Sequence, residues 1–522
     1  MNVPEWLPFV RKTPPPSKPF SERAARWADG LSYRDVPRSI RRTARAQLTS
    51  SIGAALRTRT HPIGDRIGDT LASSGDSATV LGGGRADPAT AACGNAALVS
   101  ALDFDGSVLG GQTGPSCVFV PLAYAEAAEA DGEELLVAQI AANEIVGRLG
   151  AAVPTGPFSR EGAVWIHAAG AAVGRAVIEG DDPDTLADAL VTALSTPTAP
   201  IERSAVGSDA GIRGASAPVR AGLAAVESAR AGIGGRRDLI ESEGGLLSGL
   251  TRRPVREFLF GLGERWHTDA LSVKSTPGSV YVAAATEAAF EARGRFDHGR
   301  TAIRGVDVYG PHALCSQEST ARPYLEEDRV PIPAALRAVP RATAEALVEG
   351  TITPQRIGTR TEEGAIRRVA DRVDLKHDPE LTVAALRSSV PAGVEFDGGR
   401  RTIAPHVARA VGLRTTLGHL PTVLGTARRL SDVLDPSEIE RRIGARVVVR
   451  TADGRAFEAS VERPPGVVGA PLAEVRAVAR RKCREALEAL GVSEPEARSR
   501  TDRLLSIDEV TRLRIDRLTD GA

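Results

Sequence analysis

From Ser21 to about Ser248 the sequence repeats one pattern, in which apolar residues return every three or four positions and many of them are Ala or Gly. This spacing places the apolar residues on one face of an α-helix. Small side chains on such a face let neighbouring helices approach closely. Aromatic residues are only 4% of the chain, which fits an interior of tightly packed Ala-rich helices. The pattern predicts a large all-α domain.

The pattern changes after about Ala270, where short runs typical of β-strands appear between helical segments. Three of these runs lie at 279–285, 302–310 and 446–464. In the last run, apolar and polar residues alternate on both sides of Asp453-Gly454. Such a turn between two alternating segments favours a β-hairpin. We therefore expect a mainly α fold, with a large all-α helical domain and a smaller α+β domain. The predicted boundaries are an extended N-terminal arm over 1–20, the helical domain over 21–269, the α+β domain over 270–470, and C-terminal helices over 471–522 that pack on the helical domain.

Charge and composition argue against several classes of function. The chain of 522 residues has a formal net charge of +0 and a pI near 7.1, which does not fit a broad basic surface for nucleic acid or an anionic membrane. No apolar stretch reaches about 18 residues without a charge, so no membrane span is predicted. The four cysteines form no CxxC pair, and their scarcity favours a reduced, cytoplasmic compartment. Metal-type His spacing, a P-loop and a Rossmann fingerprint are missing from the sequence, so neither a metal nor a cofactor is predicted.

The most informative stretch for function runs from Ala96 to Pro121. A helix-like apolar run ends in Asp103-Phe104-Asp105 and is followed by a Gly-rich loop and a second apolar run. Carboxylates at the end of a buried helix lose solvation, which raises the pKa of such groups unless cations or hydrogen-bond donors hold them ionised. Groups perturbed in this way are candidates for a functional site. The alternative is that one of the two carboxylates braces the loop through backbone N–H groups.

Lysine is scarce in this Arg-rich chain, with five residues at Lys12, Lys18, Lys274, Lys376 and Lys482. Lys274 stands where the helical pattern gives way to the strand-like one. A lysine at such a junction can hold a substrate carboxylate or, with a lowered pKa, serve as a base. The alternative is an ordinary surface lysine.

The run Leu102–Ser107 and the later Gly114-Pro115-Ser116 resemble the MmgE/PrpD family, which includes 2-methylcitrate dehydratase and cis-aconitate decarboxylase. The family pattern is LDFDDT, a few variable residues, HPS and an apolar helix. In this chain Gly106-Ser107 stands in place of the family's second Asp and Thr, and Gly114 stands in place of the His. Further pieces follow in family order over roughly 21–490, among them AANEIVGRLGAAV, EALVEGTITP and DGRAFEASVERPPGVVGAPL.

The resemblance implies a helical domain with the α+β domain as its lid, a site between the two, and a homodimer. It also implies roles for single residues: the expected catalytic group is Asp103, Lys274, Tyr281 and Ser107, and the expected substrate-binding group is Arg213, Asp105, Thr113 and His167. Tyr281 stands where the family has a His, and Arg213 is the nearest cation in a segment where the family has a Lys. The alternatives are plain packing for Tyr281, a surface position for Arg213 and a core position for His167.

Together these features predict a cofactor-independent lyase, of the hydro-lyase or decarboxylase type, that resembles 2-methylcitrate dehydratase. The expected substrate is a small di- or tricarboxylic acid, from which the enzyme abstracts a proton beside a carboxylate. Because several family positions differ, two alternatives stay open. One is an isomerase or epimerase acting on a related acid, and the other is a non-catalytic relative that serves as a binding or scaffold protein.

Overall fold

The computed structural model describes residues 18–71, 75–109, 111–153, 163–199, 201–251, 254–297, 302–327, 329–358, 364–389 and 436–519. The predicted arm over residues 1–20 lies almost entirely outside these ranges.

The described chain is mainly α-helical. Its helices, numbered in chain order, are α1 (Phe20–Asp29), α2 (Arg38–Arg59), α3 (Pro62–Asp69), α4 (Pro88–Ala101), α5 (Phe119–Ala127), α6 (Gly132–Ala152), α7 (Ile166–Ile178), α8 (Pro183–Leu194), α9 (Glu202–Gly207), α10 (Arg213–Arg230), α11 (Leu246–Leu250), α12 (Val280–Arg293), α13 (His312–Leu325), α14 (Ile332–Ala335), α15 (Val339–Glu349), α16 (Gly364–Ala370), α17 (Pro379–Ser389), α18 (Leu472–Ala489), α19 (Glu494–Leu504) and α20 (Asp516–Thr519). The strands are β1 (Ala78–Val80), β2 (Gly84–Ala86), β3 (Ser107–Val108), β4 (Gly111–Gln112), β5 (Leu271–Ser272), β6 (Ile303–Gly310), β7 (Val373–His377), β8 (Ala445–Thr451) and β9 (Ala456–Val461). The predicted fold class, mainly α with a smaller α+β region, is confirmed.

Helix α6 lies at the centre of the helical part. It begins with a capping box, in which Asp131 and Glu134 each accept a hydrogen bond from the other's backbone N–H. Almost every side chain of α6 is buried, against α5, α7 and the apolar residues of α2. Among the described residues this is the one helix long and apolar enough to cross a membrane, but 89% of its apolar window is buried inside the fold. Such burial is typical of the core helix of a globular protein.

Short strands interrupt the helical part, which therefore is not purely α. Strands β1 and β2 form an antiparallel hairpin, and β3 pairs with β4 on one side and β5 on the other. Ser107 of β3 lies opposite Gln112 on β4 and opposite Ser272 on β5. The second pairing carries the segment after β5 to the loop that follows α4. It therefore brings together two parts of the chain about 165 positions apart.

The larger sheet has the strand order β7-β6-β8-β9. Strands β6 and β7 are parallel and the other pairs are antiparallel, so the predicted hairpin is present as β8 and β9. Its turn contains Gly454 at φ +83°, a conformation that favours glycine. Alternate residues of β6 and β8, including Val306, Val308, Val447 and Val449, pack beneath α12 and α15. This region is the α+β part of the molecule.

The strand predicted over 279–285 is wrong, because Val280 is the first residue of α12. Valine and tyrosine favour strands, which explains the prediction. In the structure the side chain of Ser279 accepts a hydrogen bond from the backbone N–H of Val282 and so caps the helix. The Ala-rich residues that follow bury one helical face against the sheet, and this packing outweighs the local preference.

Helix α18, from the C-terminal part of the chain, packs along α2. The two backbones approach so closely at Gly53 that a Cβ atom there would lie 2.8 Å from the Cα atom of Cys483. Only glycine fits without a shift of one helix. This contact places the buried face of α18 next to the loop that follows α4.

Candidate functional site

An unusual backbone conformation at Asp103 determines where its carboxylate lies. Helix α4, capped by Asp87, ends at Ala101, and Asp103 then adopts φ +46°. A left-handed conformation costs a non-glycine residue roughly 1–2 kcal/mol, so surrounding contacts must hold it. Two of these contacts come from the backbone N–H of Gly278, which donates to the carbonyl oxygens of Leu102 and Asp103 at 3.1 and 3.2 Å.

Asp103 and Lys274 form an ion pair. The ammonium of Lys274 donates to Oδ1 of Asp103 at 2.5 Å and to the backbone oxygen of the same residue at 2.9 Å. The side chain of Asp103 is 31% exposed and that of Lys274 is 12% exposed, so a ligand can reach both. The pairing of β3 with β5 delivers the lysine to this point. The structure thus brings together two members of the expected catalytic group.

Gln112 joins the two carboxylates of the turn. Its Nε2 donates to Oδ1 of Asp103 at 2.5 Å and to Oδ1 of Asp105 at 3.0 Å. Asp105 is fully buried, and this burial raises the pKa of its carboxyl to about 7. The positive charge of Lys274 opposes the rise, the negative charge of Asp103 adds to it, and the charge of Lys482 opposes it. Two carboxylates in one turn therefore differ sharply in environment.

Two buried oxygen atoms without hydrogen-bond partners in the described part of the chain lie next to Gly114, on the inner side of this turn. Oδ2 of Asp105 and Oγ of Ser51 are both buried and have no hydrogen-bond partner among the described residues. A Cβ atom at position 114 would lie 3.1 Å from Oγ of Ser51 and 3.4 Å from Oδ2 of Asp105. Unpaired buried acceptors are costly, and they gather at functional sites.

Thr113 and His167 lie in the interior behind the site. Oγ1 of Thr113 accepts a hydrogen bond from Nε2 of Gln47 at 2.8 Å, within a buried amide network. Nδ1 of His167 lies 3.2 Å from Oγ of Ser116, in the π-helical turn Gly114–Val118. Burial lowers the pKa of His167 to about 4, so its ring is neutral at pH 7. Both side chains are buried behind the turn, so neither is on its solvent-exposed side.

Tyr281 and Ser107 belong to different elements, and among the described residues no hydrogen bond joins Tyr281 to Asp103 or Lys274. Tyr281 is in the first turn of α12, where burial raises the pKa of its phenol and the charge of Arg441 opposes the rise. The guanidinium of Arg441 donates to the backbone oxygen of Leu109 at 2.5 Å. Ser107 is partly buried in β3. Tyr281 therefore keeps its proton at neutral pH and can act as a donor, not as a base.

Arg213 is the first residue of α10 and is exposed. Within the described part of the chain, no hydrogen bond or ion pair joins it to Asp103 or Lys274. A different arginine is close: Arg337, where burial lowers the pKa of the guanidinium and the negative charge of Asp103 opposes this. The structure therefore does not connect Arg213 with the carboxylate pair.

Sequence reasoning missed Gln112 and Lys482 as members of the site. Lys482 is buried on α18, and its Nζ donates to Oγ of Ser50 at 2.9 Å and to the backbone oxygen of Phe104 at 2.8 Å. A signal was present, because Lys482 falls in the apolar stripe of α18, four residues after Val478. No comparable signal marked Gln112, whose role depends on the loop geometry.

The fold and the site define a mainly α protein with two neighbouring carboxylates, of which Asp103 forms an ion pair with Lys274. Residues 22–258 match the MmgE/PrpD N-terminal domain. The match covers somewhat under half of the chain, and over these residues the chain is similar to that family. No curated protein matches the chain significantly. Lys274 and Lys482 lie beyond the matched residues.

Proposed function

We propose that this protein is a cofactor-independent lyase that abstracts a proton beside a carboxylate of a small di- or tricarboxylic acid. The observation that carries the proposal is the contact of Asp103 with Lys274 at 2.5 Å, with both side chains accessible. A base for the acidic C–H and a cation for the neighbouring carboxylate are the two groups that this chemistry requires.

In the proposed reaction, Asp103 takes the proton from the carbon beside the substrate carboxylate. Lys274 holds that carboxylate and stabilises the negative charge that develops on it. The electron pair of the broken C–H bond forms a C=C bond as the hydroxyl on the adjacent carbon leaves. The hydroxyl departs as water with a proton from Tyr281, whose raised pKa keeps it protonated. Asp103 then returns its proton to solvent and Tyr281 is reprotonated.

An isomerase acting on a related acid is the second candidate. It shares the first step and differs only in the fate of the proton, which returns to carbon instead of leaving with water. The protonated phenol of Tyr281 favours this candidate too, because it can serve as the returning acid. One assay separates the two candidates, since only the lyase produces a new double bond.

The test follows the C–H protons of a panel of acids, including citrate, malate and 2-methylcitrate, by proton NMR in D₂O. We expect loss of the signal beside a carboxylate for at least one acid, with an alkene signal if the reaction is elimination. Asp103→Asn should slow this loss by about a hundredfold or more, the scale of a lost general base. The matched control is Asp65→Asn, which alters a carboxylate that is 75% exposed on α3.

Two results would contradict the proposal. One is that no acid of the panel loses a C–H proton, which would favour a binding or scaffold role. The other is that Asp103→Asn and Asp65→Asn exchange protons equally fast, which would remove Asp103 from the chemistry.

A further inference from the structure

The ion pair of Asp103 and Lys274 carries no net charge. One carboxylate and one ammonium sum to zero, so this pair alone does not attract an acid that carries two carboxylates. The neighbouring Asp105 and Gln112 add no positive charge, and Lys482 is buried where a ligand does not reach it. A substrate of the proposed class therefore needs a second, accessible cation close to Asp103.

The backbone around Gly278 brings Arg337 to this turn. The N–H of Gly278 donates to the carbonyl oxygens of Leu102 and Asp103 at 3.1 and 3.2 Å. A Cβ atom on Gly278 would lie 2.8 Å from the backbone oxygen of Leu336, the residue directly before Arg337. Gly278 also has φ +96°, so two independent constraints require glycine at this position. One residue thus contacts both the Asp103 turn and the segment that carries Arg337.

The guanidinium of Arg337 is available to a ligand. The residue lies between α14 and α15 and is partly exposed. Within the described ranges its one hydrogen bond runs from Nη1 to the backbone oxygen of Pro333 at 2.6 Å, and no carboxylate lies within ion-pair distance. An arginine has five N–H donors, so most of those of Arg337 remain for a ligand. Burial lowers the pKa of the guanidinium, and the negative charge of Asp103 opposes this, as expected for opposite charges that lie near each other.

We propose that Arg337 is a specificity-determining residue of the site: it binds a second carboxylate of the substrate, while Lys274 holds the carboxylate beside the reacting carbon. Two cations from separate segments then lie near the base Asp103, one after β5 and one between α14 and α15. The planar guanidinium can donate two parallel hydrogen bonds to a carboxylate, which a methyl group cannot accept. The site therefore selects dicarboxylic acids over monocarboxylic acids of the same length. The inference rests on the proposed function for the role of Lys274, but its test requires no turnover.

The test compares succinate with butyrate, in which a methyl group replaces one carboxylate of the same carbon chain. Neither acid has a hydroxyl group to eliminate, so calorimetric titration of the full-length protein measures binding alone. The wild type should bind succinate about tenfold or more tighter than butyrate, the scale of a charge-assisted hydrogen-bonded pair. Arg337→Gln should abolish this preference and keep the affinity for butyrate. Arg337→Lys retains the charge without the planar fork and should keep part of the preference.

The matched control is Arg329→Gln, which removes an arginine that is 65% exposed and pairs with Asp209, and which should leave both affinities unchanged. Equal affinity of the wild type for the two acids overturns the inference, and so does a preference for succinate that persists in Arg337→Gln. A variant that loses both acids to the same extent reveals a merely structural role and overturns it as well.

The two proposals fail separately. If Arg337→Gln abolishes the preference but no acid of the NMR panel loses a C–H proton, the proposed lyase is wrong and the second anion site stands. If an acid of the panel reacts and the preference persists in Arg337→Gln, the proposed function stands and the role of Arg337 is wrong.

Discussion

His167 makes the unfolding free energy of this protein depend on pH, and a single substitution can separate its contribution from those of other groups. The residue is buried on α7, and burial lowers the pKa of its ring to about 4, compared with the ordinary value of 6.5. Because the folded state binds the proton less readily than the unfolded state, lowering the pH favours unfolding. The loss begins as the pH falls below 6.5 and is complete near pH 4. A difference of this size in pKa corresponds to about 3 kcal/mol of unfolding free energy.

The variant His167→Asn removes this titration and keeps an amide that can pair with Oγ of Ser116. We would measure urea unfolding of both proteins by tryptophan fluorescence, to which the buried Trp165 at the start of α7 contributes. The stability of the wild type relative to the variant should be constant above pH 7 and should decrease by about 3 kcal/mol between pH 6.5 and pH 4.

Because the comparison is a difference between two proteins, other buried groups such as His267 and Asp105 cancel from it. A relative stability that stays level from pH 7.5 to pH 4 would refute the reasoning, since it would mean that the ring is protonated as easily in the folded protein as in the unfolded chain. A decrease that begins well above pH 7 would refute it as well.

Three further outcomes are expected. Lys274→Ala should weaken the binding of polycarboxylates more than it lowers the turnover of bound substrate, which initial-rate kinetics separates as KM and kcat. Gly53→Ala should destabilise the fold by about 1–3 kcal/mol because its Cβ meets the backbone of α18, whereas Gly249→Ala, where nothing lies within 4 Å, should change the melting temperature little. The homodimer that we propose from the family should appear in light scattering at micromolar concentration as twice the mass of 54.7 kDa, and a single-chain mass would contradict it.

The helical part of the fold could be predicted because its periodicity is long and its packing is uniform. Helix α6 has both a capping box and an apolar repeat, so local and tertiary preferences agree. They conflict at Val280-Tyr281-Val282, where strand-forming residues stand directly before an Ala-rich run. Local preferences amount to less than about 1 kcal/mol per residue, and the burial of Ala284 and Ala288 against the sheet outweighs them.

The site could be predicted only where the sequence itself was unusual. Asp103 was singled out by its place between an apolar run and a Gly-rich loop, and Lys274 by the scarcity of lysine. Lys482 stood out only as one of five lysines and by its place in the apolar stripe of α18, and neither feature shows what it contacts. Gln112 carries no such signal, because its role depends on contacts that form only in three dimensions. The hydrogen bond of Lys482 to Phe104 spans 378 positions and exists only because α18 docks on α2.

The close approach of α2 and α18 at Gly53 also has a consequence for the order in which the protein matures. During synthesis the chain emerges at about 5–20 residues per second, so the carboxylates of the turn leave the ribosome roughly 20 seconds or more before Lys482 does. Until then Asp105 can remain hydrated, and burying it alone would be costly. The nascent protein therefore buries the charged groups around this turn only when α18 has been synthesised, and a chain truncated before α18 would leave these groups exposed to water.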